Sequence, residues 1–304
     1  MAILELAYDD LRLVLDPALG GSLLSFRKGD MDLLRPTPAG TTDVLQTASF
    51  PLVPYSNRIA HATLAFEGRT YALDRNFGDH PHAIHGVGWQ RAWTVEDVAG
   101  DSARLAFAHD PSASHADRRA WPWAFRATQT FVLRARDRAG ATLAQKLTLE
   151  NTADAPFPFG LGWHPFFVRS DASVLGFQAR GVWLTDDTVI PTAHAVPAGG
   201  TSFDPPRRIG DTTLDNVYTE WTGTVTLDDP RRALRVVMHG DTASPYLVVY
   251  IPPGHAPFMA IEPVTHMTDA FNRLARGERD TGARVLRPGE AFTTSMQITA
   301  GALA

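Results

Sequence analysis

The strongest constraint in this sequence is a two-residue alternation of apolar and polar side chains, broken at short intervals by turn formers. LRLVLD (11–16) alternates throughout. TLAFEGRTYALD (63–74) holds two alternating runs around Glu67-Gly68, and WTVEDVAGDSARLAFAHD (93–110) repeats the arrangement around Ala99-Gly100-Asp101. Successive side chains of a strand point to opposite faces, so such runs suit one half-buried face of a sheet and not one stripe of a helix. Glycine at the turn permits the positive φ of a tight connection, and both segments are predicted hairpins. FRATQTFVLRARDRAGATLAQKLTLENT (125–152) and TVTLDDPRRALRVVM (224–238) continue the pattern, while YLVVYIP (246–252) reads as a strand buried on both faces. Helical stretches are scarce. TDAFNRLARG (268–277) is the best candidate, with Thr268 as cap and Gly277 as stop. Many strands with few short helices predict an all-β fold, a large antiparallel β-sandwich whose loops carry the function. The Pro- and Gly-rich segment 191–210 is read as a long loop rather than a linker, because the strands after it match those before it. A single domain over residues 1–304 is expected.

Charge and composition narrow the function. With 28 Lys and Arg against 33 Asp and Glu, mixed along the chain, there is no basic surface to neutralise a phosphate backbone or an anionic membrane. The opening MAILELAYDD lacks the basic start and apolar core of a secretion signal, and no run of apolar residues is long enough to span a bilayer; a cytoplasmic location is expected. The absence of cysteine removes disulfides, thiolate ligands and thiol nucleophiles. Chemistry falls to His, Asp, Glu, Ser, Lys or Tyr. GVGWQR lacks the third glycine of a dinucleotide loop, no phosphate loop of the Gly-x-x-x-x-Gly-Lys type is present, and GGSLL around Ser22 is no nucleophile elbow.

Three clusters remain. GDHPHAIHGVGWQRAW (79–94) sets His80, His82 and His85 close together. The spacing resembles a dinuclear zinc-hydrolase pattern, but Ile84 stands where that pattern needs Asp, and no metal is expected. His80 and His82 flank Pro81 in what reads as an exposed turn, whereas His85 lies between Ile84 and Gly86 in an apolar, tight setting. FPFGLGWHPFF (157–167) places His164 among Trp163, Phe166 and Phe167, with Pro165 biasing it to extended backbone. Such surroundings lower an imidazole pKa and suit it to proton transfer near neutral pH; the alternative is a core histidine with one backbone hydrogen bond. In PFMAIEPVTHM (257–267), a strand would put Phe258, Ala260 and Glu262 on one face. A carboxylate there either pairs with a cation structurally or has its pKa raised into the range of a general base. Asn57-Arg58 follows a Pro-rich turn and offers a guanidinium fork, which is otherwise simply solvated.

Taken in order, SNRIA with Arg58, AIHGVGW with His85, GWHPFF with His164, LDNVYT with Asp215 and IEPVTHMTDAFN with Glu262 resemble the landmarks of the aldose 1-epimerase (mutarotase) family over essentially the whole chain. That resemblance implies the galactose mutarotase-like supersandwich and a cofactor-free, metal-free enzyme that interconverts α and β anomers of a free sugar. It implies Glu262 and His164 as the catalytic base and acid, with Arg58, His85, Asp215, Asn57 and Trp163 binding substrate. Trp89, Trp93 or Trp163 would offer a flat face to a pyranose. In the best-known galactose-specific members the second histidine usually follows Asn, where Trp163 stands here, so the sugar is left open. The alternatives are a non-catalytic sugar-binding or sensing protein, which would not need both His164 and Glu262, and a hexose 6-phosphate epimerase, for which Arg69, Arg75 and Arg91 are candidate phosphate ligands.

Overall fold

The computed structural model describes residues 2–136 and 140–303. Alternation translates into burial directly: Leu11–Asp16, Ser102–His109 and Thr224–Asp229 each bury every second side chain along most of their length, while Tyr246–Ile251 is buried on both faces apart from Tyr250. Apart from Leu11–Asp16, these strands belong to two large antiparallel sheets. A nine-stranded sheet runs from the edge Thr94–Val98 through Ser102–His109, Phe125–Arg136, Gly140–Asn151, Ala291–Ala302, Leu234–Gly240, Thr224–Asp229 and Val174–Phe177 to Arg207–Arg208. An eight-stranded sheet orders Pro191–Ala195, Gly181–Thr185, Leu214–Thr219, Tyr246–Ile251, Phe258–Val264, Gly162–Trp163 and Pro51–Leu52, with Phe166–Val168 also paired to Phe258–Val264. A four-stranded sheet of residues 4–32 packs beside them. Leu13, Phe26, Phe125, Phe131, Leu147, Tyr218 and Ile298 belong to one continuous core. Each such side chain contributes roughly 1.5–3 kcal/mol by leaving water.

Where local chemistry was ambiguous, the structure departs from expectation. The 63–74 hairpin turns through Glu67 at φ 48° and Gly68 at φ 72°, two positive values as a two-residue connection requires. The 93–110 hairpin closes instead through three residues, with Ala99 N–H bonded to Ser102 O at 2.8 Å, and Gly100 does not take a positive φ. The turn between Phe125–Arg136 and Gly140–Asn151 lies outside the described residues. The helix spans Ala270–Ala275, and Thr268 does not cap it. Asp269, at φ 57°, starts it, and its carboxylate accepts from the Ala60 N–H and the Asn272 side chain rather than from the helix's own amides. Gly277, at φ 86°, follows the helix end as expected. Segment 191–210 is not all loop: Pro191–Ala195 pairs with Gly181–Thr185 as an edge strand, and Arg207–Arg208 pairs with Val174–Phe177.

Candidate active site

The eight-stranded sheet supplies one wall of the site by register alone. Asp215 lies opposite Tyr250, Tyr250 opposite Ala260, Phe166 opposite Ala260, and Val248 opposite Glu262. Directly opposed residues share a face, and so do alternate residues of one strand. Asp215, Tyr250, Phe166, Phe258 and Glu262 therefore project to the same side, and all of them line one cavity of about 320 Å³. That lies at the small end of the roughly 300–1,000 Å³ typical of small-molecule sites.

His164 enters the same cavity from a break in the sheet. Pro165 interrupts the run between Gly162–Trp163 and Phe166–Val168, and the His164 N–H donates to Phe50 O at 3.0 Å. Its ring stacks on Phe50, at 4.7 Å, and packs tilted against Phe166, at 4.5 Å. There its Nε2 meets Glu262 Oε1 at 3.1 Å. Extended backbone alternates, so the neighbouring Trp163 points the other way; it is fully buried in the core and does not reach the cavity. Trp89 and Trp93 are also core residues, Trp89 backing Phe50 at 5.5 Å.

The opposite wall is organised by Asn57, a left-handed residue at φ 58°. Its N–H donates to His85 Nδ1 at 3.0 Å, its carbonyl accepts the His85 N–H at 3.0 Å, and its Oδ1 accepts from Arg58 Nη1 at 3.0 Å. Arg58 Nη2 then donates to Asp215 Oδ2 at 3.2 Å, joining the loop to the sheet. With its Nδ1 lone pair occupied by a backbone N–H, neutral His85 carries its proton on Nε2. The ring lines the cavity and lies 5.3 Å from that of His164, nearly perpendicular to it.

Electrostatics separates these groups. Burial raises Glu262 well above the ordinary carboxylate value, reinforced by the charge of Asp215 and opposed by Arg58. Burial likewise pushes His164 down to about 3, opposed by its own backbone and aided by Arg35 and Arg58. His85 is held well below the usual imidazole value by burial, then by His164 and Arg58. Asp215 is raised by burial, with Arg58 acting against the rise. A buried acid and a buried base in contact, with pKa values driven in opposite directions, hold a single proton between them across neutral pH.

The cavity thus gathers Asn57, Arg58, His85, His164, Asp215 and Glu262, and leaves out Trp163. His82 is not in an exposed turn: it is buried, its Nδ1 accepting from the His61 N–H at 2.9 Å and its Nε2 paired with Thr188 Oγ1 at 3.0 Å. His80 is half-buried beside Phe77. With both nitrogens of His82 and one of His85 engaged, the histidine triplet does not converge. Among the described residues no group of three or more His, Asp or Glu side chains is arranged to hold a metal. Sequence reasoning missed Arg35, Phe50, Phe77 and Tyr250 as lining residues. Only Tyr250 carried a signal, since its strand was recognised and a register would have set it beside Asp215.

Comparison with known proteins identifies the family. The sequence profile of the aldose 1-epimerase family matches residues 5–299. The protein YphB of Escherichia coli K12, described as uncharacterized, is 28% identical over 98% of each chain. The crystal structure of a candidate aldose 1-epimerase from Escherichia coli K12 superposes with a TM-score of 0.87 at 26% identity, covering 99% of both chains. A galactose mutarotase-like protein from Clostridium acetobutylicum gives 0.84 at 18% identity, covering 99% of this chain and 95% of the other. With a family profile matched almost end to end on a shared fold, the chain belongs to the aldose 1-epimerase family.

Proposed function

We propose that this protein, acting as a single domain over residues 1–304 and without a cofactor, interconverts the α and β anomers of a free aldose. The observation that carries the reading is the 3.1 Å contact between His164 Nε2 and Glu262 Oε1 on the wall of a sugar-sized cavity. Anomerisation acts on two oxygens bonded to one carbon, so its acid and base must lie within reach of each other. Glu262 takes the proton of the C1 hydroxyl as His164 gives one to the ring oxygen. The bond from C1 to the ring oxygen breaks and the aldehyde forms. After rotation about C1–C2 the hydroxyl attacks the other face of C1, and both protons return. Nothing is consumed, and the pair holds one proton at every stage.

The direction of the pKa shifts suits this cycle. At rest the pair is neutral, carboxyl beside imidazole; to act on the closed ring it passes to imidazolium beside carboxylate, and opening the ring returns it to the neutral form. Burial favours the neutral pair. The site therefore favours the open-chain state, which is scarce in water, over the closed ring facing the charged pair. Acid and base catalysis are worth about 10²–10⁴ each, roughly 3–5 kcal/mol. Arg58, fixed between Asn57 and Asp215, and the Nε2–H of His85 supply donors for sugar hydroxyls, Asp215 an acceptor, and the phenyl faces an apolar wall. Polarimetry on freshly dissolved α-anomers tests the reading. Accelerated mutarotation that disappears in Glu262→Gln, with sugar binding retained, is expected; a protein that binds sugars without accelerating any of them refutes it.

A further inference from the structure

Arg35 lines the cavity, and the proposed chemistry leaves it without a role. Its Nη2 donates to Leu45 O at 2.6 Å and Thr47 O at 2.7 Å, and its guanidinium lies over the rings of Phe166, at 3.8 Å, and Phe258, at 4.5 Å. Those contacts fix the plane of the group while occupying one nitrogen. Among the described residues Nε is buried without a partner and Nη1 makes no hydrogen bond. Among the described residues no carboxylate forms an ion pair with Arg35. Asp43 acts on it only at longer range, and that exposed side chain is engaged at Oδ1 by the Leu45 N–H.

The charges lining the cavity do not cancel. Arg58 is matched by Asp215, and His164 with Glu262 carries one proton and no net charge, so the charge of Arg35 is left over. Burial lowers its pKa to about 10, which leaves it cationic at neutral pH. An unmatched, partly desolvated cation is costly until an anion arrives. Its position says where the anion comes from. Phe166 packs against both His164, at 4.5 Å between ring centroids, and the Arg35 guanidinium, at 3.8 Å, so Arg35 and the imidazole assigned to the ring oxygen share one phenyl ring as a neighbour. In a pyranose the ring oxygen is bonded to C5, and C5 carries C6.

We infer that Arg35 recognises an anionic group at C6 of the sugar, the chemistry shared by a hexuronate carboxylate and a 6-phosphate. This rests on the epimerase reading and narrows its substrate class. Arg69 and Arg75 are exposed, Arg91 is paired with Asp117 at 3.1 Å, and none of the three lines the cavity.

The test compares anomer exchange, measured by NMR, for glucose, galactose, glucuronate, galacturonate and glucose 6-phosphate. A hydrogen bond to a charged group predicts kcat/KM about 10- to 100-fold higher for anionic sugars than for neutral partners. The preference weakens with added salt. Arg35→Gln lowers the anionic-to-neutral ratio by a similar factor, and Arg35→Lys, which keeps the charge without the fork, lowers it less. A stronger response to the uronates names the carboxylate and a stronger response to the ester names the phosphate; either supports the inference. Turnover of neutral sugars with no anionic preference in the wild type overturns it and leaves the epimerase reading standing, even where the variants do not fold. No turnover of any sugar overturns both.

Discussion

Replacing Glu262 with Gln separates the carboxyl's proton from its shape, since an amide N–H can still donate to His164. Burial lifts Glu262 well above 4.5 and presses His164 from 6.5 to about 3. In the folded protein near neutrality the pair holds one proton, on the carboxyl. The unfolded chain also holds one between pH 4.5 and 6.5, on the imidazole, and none above that. A raised carboxyl pKa gives stability that is fully present below 4.5 and lost as pH rises toward the folded value. A depressed imidazole pKa gives stability present above 6.5 and lost as pH falls. In the wild type the two slopes cancel between those limits. Above 6.5 only the carboxyl contribution remains, and stability falls by about 1.4 kcal/mol per pH unit until Glu262 ionises in place. The Gln variant keeps the imidazole contribution alone and is flat above 6.5. Its stability relative to wild type therefore grows by about 1.4 kcal/mol per pH unit from 4.5 upward until Glu262 ionises in the folded wild type, and is level beyond that, every other titration cancelling in the difference. Guanidinium unfolding of both proteins at about pH 5, 6, 7 and 8 measures this difference. A gap that stays constant refutes the reasoning, because Glu262 would then be ionised inside the folded protein throughout. In the same variant kcat falls by about 10²–10⁴.

Because catalysis needs one proton on the pair, the anomerisation rate is flat through neutral pH and falls on the acid side near the depressed His164 value of about 3; an acid limb at the ordinary imidazole value of 6.5 in the pH–rate profile would count against the buried pair. His82→Ala strips partners from the His61 N–H and Thr188, costing about 1–3 kcal/mol in chemical denaturation while kcat changes little, since His82 lies outside the cavity. Gly86→Ala brings a Cβ to 2.3 Å from Val53 O at φ +70°. The left-handed backbone alone costs about 1–3 kcal/mol, and displacing the adjacent His85 raises KM as well as lowering Tm.

What could be read beforehand follows the reach of each signal. Alternation in 258–264 is local, so the shared face of Phe258 and Glu262 was legible. The apolar setting and the proline at 165 were enough to single out His164. The same alternation, applied one residue back, would have removed Trp163, which follows the opposite pleat into the core. His82 was misjudged because a proline flank marks a turn but says nothing about what covers it; Thr188, more than a hundred residues away, closes over that ring. Phe50, Phe77 and Arg35 lie in segments with no periodic signal. They reach the cavity through pairings such as the His164 N–H with Phe50 O, which only three dimensions supply. Thr268 and Asp269 both suit a helix start; Asp269 takes that place, with its carboxylate turned to the Ala60 amide rather than to the helix, a pairing across some two hundred residues that no local signal carries.

The backbone bond from Asn57 to the His85 ring has an effect on ligand preference. The imidazole next to the reacting pair is barred from shuttling, because to pick up a second proton it must surrender that bond and face N–H with N–H. It can give and never receive. Whatever atom of the substrate rests against it must bring a lone pair, so a fluorine in place of that hydroxyl keeps the contact and an ammonium in its place is turned away.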